Sequence, residues 1–369
     1  MAVSIIQGAR IAGLVSCLPE RREDTADLAT RFGEATAARI AKATGIEARR
    51  LAAPDQCASD LAEAAARDLM DGLGWEPGAI DLLVFVSQTP DHVLPATACL
   101  LHRRLGLERR CAAFDLSLGC SGFVYGLWSV GALLATLPAG ARALLLVGDT
   151  TSRLIDPLDR SVAPLFGDAA AAVALVRDGQ AGPMTFDLGS DGAGAPYLMV
   201  PGGGMRRPAA EPAAPATLFM DGTQVFAFTL REVPRSIAAT LEAAEWSIAD
   251  VDHIVLHQAN AQMIRHLGQR IGARPERMVL ALADVGNTSS ASIPLALTQA
   301  LAATLTGPRA DGGGCRLLLS GFGTGWSWGT VALACPPLAV CRTIALEEGG
   351  RSRPSPAPPF ALDPDKTKS

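Results

Sequence analysis

DLSLGCSGFVYGLWSVGALL, residues 115–134, is the stretch from which the rest of the chain can be read. The apolar run AAFDLSL ends at Gly119; Cys120, Ser121 and Gly122 follow, and then a long apolar segment with helical spacing. That order predicts a strand turning sharply into a buried helix, with the Cys120 thiol at the helix's first turn. The positive end of a helix dipole favours thiolate, so Cys120 is a candidate nucleophile. Free cysteine is also among the most buried residue types, and a small hydrophobe at this junction carries the same local pattern. The rest of the chain decides between the two.

Around this stretch, IDLLVFVSQT (80–89), ARALLLVGDT (141–150) and LFGDAAAAVALV (165–176) are continuous apolar runs of strand length, as expected of strands buried on both faces. Residues 4–18 predict a first strand ending at Pro19, and 24–43 carry a helical pattern. Residues 57–73 predict an amphipathic helix with Ser59 as its cap and Gly72 near its end. Strands alternating with helices give an α/β class.

The second half repeats the theme. GWEPGAIDLLVFV (74–86) is echoed by EWSIADVDHIVLH (245–257), and ALLLVGD (143–149) by RLLLSGF (316–322). Two echoes in the same order predict an internal duplication. The halves are placed at 1–180 and 181–335, with PGGGMRRPAAEPAAPA (201–216) as a loop early in the second. From Pro336 the composition changes, and RSRPSPAPPFALDPDKTKS (351–369) has the signature of a disordered tail, so 336–369 is placed outside the fold.

At 369 residues the chain exceeds the usual size of a single core. A 49% hydrophobic and 19% charged composition predicts extensive shared cores or a buried subunit interface. The net charge of −5 argues against nucleic acid as a partner. No uninterrupted apolar segment reaches the length of a membrane span. The N-terminus lacks a basic region before a clean apolar one, so it does not read as a signal peptide. Eight cysteines without a CxxC pair do not resemble a zinc site, and no metal is expected. The expectation is a soluble, cytoplasmic protein with reduced thiols.

Three further stretches stand out. IVLHQAN (254–260) ends a buried strand in His257, one of only five histidines and a candidate base or donor. VGNTSSASIPLAL (285–297) sets Asn287 after a glycine and before small residues that open a helix, a pattern that also suits a plain turn and cap. SGFGTGWSWGTVAL (320–333) has glycines at a strand end, suited either to a tight hairpin or to an oxyanion hole.

Taken together and in order, the motifs DxxxGCSGF, HQAN, GNTSxAS and GFGxGxxWG resemble those of the β-ketoacyl-acyl-carrier-protein synthase III family of the thiolase superfamily, over residues 4 to 335. The resemblance implies a thiolase-like fold of two duplicated α/β halves in a five-layered αβαβα arrangement, and a homodimer. It implies that Cys120 accepts an acyl group from a primer thioester while His257 and Asn287 act on a malonyl-acyl-carrier-protein extender. The backbone N–H groups of Cys120 and Thr324 would form the oxyanion hole, and no resident cofactor is expected. Coenzyme A and phosphopantetheine thioesters enter as substrates, and the partners are acyl-coenzyme A and malonyl-acyl carrier protein.

This sequence departs from the family where the adenine of coenzyme A is usually stacked. Arg39 stands in the place of a tryptophan and Ala43 in that of an arginine, while Arg160 matches the other face. Leu94 replaces an aromatic residue that often closes the acyl pocket across the dimer, which suggests a pocket different from an acetyl-only one. Phe166, Gly222 and Phe226 match positions along the pantetheine channel. On the helix after HQAN, Gln262 stands where an arginine is common. Arg265 and Arg270 remain to dock an acidic carrier protein.

Three other readings are weighed against condensation. A non-decarboxylating acyltransferase of the same fold would move the acyl group to an amine or hydroxyl, but has no need of two enolate donors. A papain-like protease also orders Cys, His and Asn, but the residues around Cys120 lack its signature. A non-catalytic partner subunit is expected to have lost a catalytic residue, and none is lost here.

Overall fold

The apolar runs form two sheets whose strands are covered on both faces. The computed structural model describes residues 2–208, 216–308 and 314–349. The first-half strands are β1 (Ala2–Ile6), β2 (Ala9–Pro19), β3 (Arg22–Asp24), β4 (Ala48–Arg50), β5 (Leu82–Val86), β6 (Ala112–Leu116), β7 (Arg142–Asp149) and β8 (Ala169–Arg177). The second half adds β9 (Met184–Ser190), β10 (Leu198–Met199), β11 (Phe219–Met220), β12 (His253–Leu256), β13 (Cys315–Gly323), β14 (Ser327–Cys335) and β15 (Val340–Leu346). The helices are α1 (Thr25–Phe32), α2 (Glu34–Thr44), α3 (Ala58–Leu73), α4 (Thr97–Arg104) and α5 (Gly122–Leu134). They continue as α6 (Gly222–Ala243), α7 (Ala261–Arg270), α8 (Ser292–Ala300) and α9 (Ala302–Thr306).

One sheet runs β15-β2-β8-β7-β5-β6 and the other β1-β9-β14-β13-β12. Strand periodicity explains the layers. In β5, Leu82, Val84 and Val86 join a central core with α5, α8 and the inner face of the second sheet. Leu83 and Phe85 face the other way, against α3 and α4. The second sheet's outer face packs on α6 and α7. Helix, sheet, helix, sheet, helix: the five layers follow from strands buried on both sides.

The duplication is visible in atoms. β5 pairs parallel with β7 and β7 antiparallel with β8; β12, β13 and β14 repeat both relations. The Arg142 guanidinium lies 4.9 Å from the centre of the Trp75 ring, and that of Arg316 lies 5.1 Å from the Trp246 ring. Asp81 accepts the Arg142 N–H at 2.9 Å and Asp252 the Arg316 N–H at 2.9 Å. The tryptophan and aspartate of each sequence echo therefore hold the start of a neighbouring strand in their own half.

Several expectations need correction. Residues 4–18 are not one strand: the chain breaks at Gly8, in the left-handed region at φ 73°, and β1 crosses to the second half's sheet beside β9. The helix expected at 24–43 is divided by Gly33 at φ 82°. Ser59 is not a cap. Cys57 holds that position, while Ser59 is buried and donates to Asp91 at 2.7 Å. The helix ends at Leu73 before left-handed Gly74, so Gly72 does lie near its end, and a Cβ there would lie 2.7 Å from Val340. That neighbour belongs to β15, which was placed outside the fold. β15 pairs parallel with β2 over seven residues, so the second half lends a strand to the first sheet as β1 lends one to the second. An edge strand tolerates charge, and Arg342 in β15 meets Asp68 at 2.7 Å; composition alone hides such a strand. The tail reading at 351–369 and part of the loop reading, 209–215, lie outside the described residues.

Candidate active site

Two turns meet at Cys120. The first, 117–121, links β6 to α5, and the second, 324–326, links β13 to β14. They touch because β13, which leads into the second, ends in glycines. A Cβ on Gly323 would stand 2.6 Å from that of Cys120 and 3.1 Å from its Sγ; one on Gly321 would stand 2.8 Å from the Cys120 carbonyl. Among the described residues, neither the Cys120 nor the Thr324 N–H is given to a backbone or side-chain acceptor of another residue. Two backbone donors beside a thiol, without partners of their own, have the composition of an oxyanion hole.

Cys120 lies between two cavities. One of about 130 Å³ is shared by Cys120, Phe166, Gly222, Phe226, His257 and Asn287. The other, about 400 Å³, also opens on Cys120 and is walled by Leu154, Phe166, Leu198, Val200 and Leu218, with Gln88 and Thr324 at the thiol end.

The electrostatics reverse one expectation. Burial pushes the Cys120 thiol up to about 12, and the carboxylate of Asp149 adds to the rise. The N-terminus of α5 supplies at most about 2 kcal/mol in the other direction, about half of what such a rise represents. The resting group is therefore the thiol.

Asp149, at the end of β7, was not singled out from sequence. It is fully buried, which raises its pKa, and it ties the parts of the site together. It accepts the Gln88 N–H at 2.7 Å, the Ser290 N–H at 3.1 Å and the Ser290 hydroxyl at 2.6 Å. The loop after β5 and the turn carrying Asn287 thus share one acceptor.

His257 follows β12 directly, with its N–H on the Ser320 carbonyl at 2.8 Å. Its ring sits edge-on to Phe322, and Nδ1 lies 2.6 Å from the Ser292 hydroxyl at the start of α8. That hydroxyl also receives the Gln258 N–H at 3.5 Å, and its own hydrogen is free to point at Nδ1. With Ser292 donating, the imidazole carries its proton on Nε2 and presents a donor. Burial lowers the His257 pKa to about 3, so the ring is neutral.

Asn287 is held by its backbone, donating to the Leu165 carbonyl at 2.8 Å and accepting from Gly167 at 3.0 Å. Its Oδ1 takes the N–H of Ser289 at 3.0 Å, steadying a non-glycine residue at φ 51°. With Oδ1 engaged, the amide NH₂ is the end of the side chain left to donate. Two neutral donors, His257 and Asn287, therefore share the smaller cavity with the thiol.

The His257 environment has a consequence for stability. In the unfolded chain the imidazole titrates near 6.5, and in the folded protein near 3. Below pH 6.5 the unfolded chain takes up a proton that the folded chain refuses, so this contribution is full above 6.5 and is lost as pH falls toward 3. Between pH 7 and 5 the wild type is expected to lose ~2 kcal/mol more than His257→Gln. Urea unfolding of both proteins at the two pH values measures the difference; parallel losses would contradict a buried neutral ring.

The other sequence candidates divide. Phe166, Gly222 and Phe226 reach the smaller cavity. Leu94 is 79% exposed in the loop before α4 and lines neither cavity on its own chain. Arg160 is exposed and also lines neither, and Arg39 and Ala43 are exposed on α2. Arg265 and Arg270 are exposed on α7. Among the described residues no group of three or more His, Cys, Asp or Glu is placed to hold a metal, and no helix is long and apolar enough to cross a membrane. Ser121, Ser289 and Ser327, buried around the thiol, and Ser292, buried against the His257 ring, escape the sequence reading as site residues. Their only sequence signal is small hydroxyl residues flanked by apolar runs, which reads equally well as turn chemistry.

The family models for the 3-oxoacyl-[acyl-carrier-protein] synthase III and for its C-terminal part match residues 114–192 and 241–335. A Streptomyces coelicolor protein named beta-ketoacyl-[acyl-carrier-protein] synthase III 3 is 40% identical over 336 residues, 88% of this chain and 97% of the relative. A beta-ketoacyl-[acyl-carrier-protein] synthase III of Thioalkalivibrio sulfidiphilus is 37% identical, covering 88% of this chain and 98% of its own. The crystal structure of a 3-oxoacyl-(acyl-carrier protein) synthase from Burkholderia xenovorans LB400 superposes with a TM-score of 0.88 at 41% identity, covering 93% of this chain and 99% of that one.

Proposed function

The chain belongs to the 3-oxoacyl-[acyl-carrier-protein] synthase III family, and we propose that it joins an acyl primer carried on Cys120 to a malonyl-acyl-carrier-protein extender by decarboxylating Claisen condensation. The observation that carries this reading is the pair of neutral donors, His257 and Asn287, in one cavity with the thiol.

In the first step the Cys120 sulfur adds to the primer thioester carbonyl. The N–H groups of Cys120 and Thr324 receive the oxyanion, and the proton lost by Sγ leaves with the departing coenzyme A thiol. In the second step the malonyl group loses carbon dioxide, which places negative charge on its thioester oxygen. His257 Nε2 and the Asn287 amide donate to that oxygen. The enolate carbon then attacks the acyl carbonyl, Cys120 departs and takes up one proton, and a 3-oxoacyl thioester remains on the carrier. A ring neutral down to about pH 3 is a poor base but a good donor, which suits this step.

The enzyme class that follows is an acyltransferase acting in fatty-acid or related acyl-chain synthesis. A homodimer is supported by β6, which ends its sheet, and by Val93 and Leu94, 78% and 79% exposed beside it. A single-chain mass in solution would contradict it. The exposed Arg265 and Arg270 suit an acidic carrier protein.

The larger cavity bears on the primer. An apolar cavity of ~150 Å³ accommodates a six-carbon ring, and the space beyond Cys120 is about 400 Å³. A primer of medium length fits better than acetyl. With a panel of acyl-coenzyme A thioesters, intact mass is expected to show hexanoyl to decanoyl adducts forming faster than the acetyl adduct. Preference for acetyl would overturn the chain-length reading and leave condensation standing.

A further inference from the structure

The oxyanion turn is tied to the nucleophile turn by the side chains of Ser121, Ser327 and Gln88. The Ser327 hydroxyl donates to the Thr324 carbonyl at 2.7 Å. Its oxygen also lies 2.7 Å from the hydroxyl of Ser121, the residue after Cys120. With the Ser327 hydrogen committed to Thr324, Ser121 is the donor in that pair. Both serines are buried, at 1% and 4% exposure. On the cavity side, Gln88 Nε2 donates to the Thr324 hydroxyl at 3.1 Å, and its amide lies against the nucleophile turn, where a Cβ on Gly119 would meet it at 2.3 Å.

We propose that Ser121 and Ser327 form a positioning relay that holds the Thr324 N–H at its place beside Cys120, with Gln88 steadying the same residue from the acyl cavity. The inference rests on the condensation reading, since it assigns these residues to the oxyanion hole of that reaction. The physical need is clear. Backbone donors stabilise a developing oxyanion only when aimed in advance, and a displacement of about 1 Å can cost a hundredfold. The turn 324–326 comes from the second half and the thiol from the first, so chain connectivity does not fix their distance. The buried serine pair spans that junction, and a buried hydroxyl bond is not screened by water.

The test compares Ser327→Ala, Ser121→Ala, the double variant and Gln88→Ala with the wild type. Single-turnover acyl loading is followed by intact mass, and the KM for the primer is measured alongside. Carbon dioxide release from malonyl-acyl carrier protein is read in a Cys120→Ala background, where only the His257 and Asn287 side operates. Ser327→Ala is expected to slow loading about tenfold with KM unchanged. The double variant is expected to be no slower than Ser327→Ala, because one relay is broken once. Gln88→Ala, at an exposed position that tolerates truncation, is expected to slow loading about threefold. Carbon dioxide release should stay within twofold throughout. Loading within twofold of wild type in Ser327→Ala and Gln88→Ala, or additive losses in the double variant, would overturn the relay. An equal fall in loading and carbon dioxide release would also overturn it, by showing that the serines only support the fold. A wild type that loads no acyl group at all would instead overturn the nucleophile reading beneath it.

Discussion

Cys120→Ser is expected to abolish the acyl-enzyme. Burial already pushes the thiol up to about 12, and a serine hydroxyl, far less acidic, meets the same dry surroundings and the same Asp149 carboxylate. Neither the α5 N-terminus nor the oxyanion donors can compensate, because they act on either residue alike. Loading should fall by several orders of magnitude. The substitution is nearly isosteric in a site that already holds Ser289 at 4.0 Å, so the fold should survive, and a thermal melt verifies this. Intact mass after incubation with an acyl-coenzyme A is the measurement. A covalent adduct persisting on the serine variant would remove Cys120 from its role.

His257→Ala and Asn287→Ala are expected to separate the two steps. Each variant keeps Cys120 and both oxyanion amides, so each should still load acyl groups. Each lacks one donor to the enolate oxygen, typically worth ~2.7–4 kcal/mol, so carbon dioxide release should fall roughly a hundredfold to a thousandfold. Asn287 needs a second variant, because its Oδ1 also holds the Ser289 N–H. Asn287→Asp preserves that acceptor while replacing the free donor with negative charge. It should decarboxylate no better than the alanine variant. Near-normal condensation by Asn287→Asp would show that Asn287 matters only for the turn.

Much of this arrangement was legible because it is local. The apolar runs announced strands with two buried faces, and the chain partitions them residue by residue between a central and an outer core. The paired tryptophan and aspartate echoes announced the duplication. What escaped was non-local. Neither β1 nor β15 says in its own residues that it joins the other half's sheet, and Arg342 made β15 look like surface. Gly72 does lie near the helix end, but the close approach of Val340 that calls for a glycine comes from 268 residues away. The thiol's acidity was misjudged for the same reason. A helix N-terminus is visible in sequence, but the burial and the distant Asp149 that outweigh it are not. The serines joining the two halves look like turn residues until the turns are brought together.

The central claim is that carbon–carbon bond formation accompanies loss of carbon dioxide. Protein loaded with an acyl group on Cys120, mixed with malonyl-acyl carrier protein labelled at the free carboxylate, tests it directly. One labelled carbon dioxide should be released for each 3-oxoacyl thioester formed, with Cys120 returned to the free thiol. Loss of the acyl group to an amine, a hydroxyl or water without labelled carbon dioxide would contradict the account.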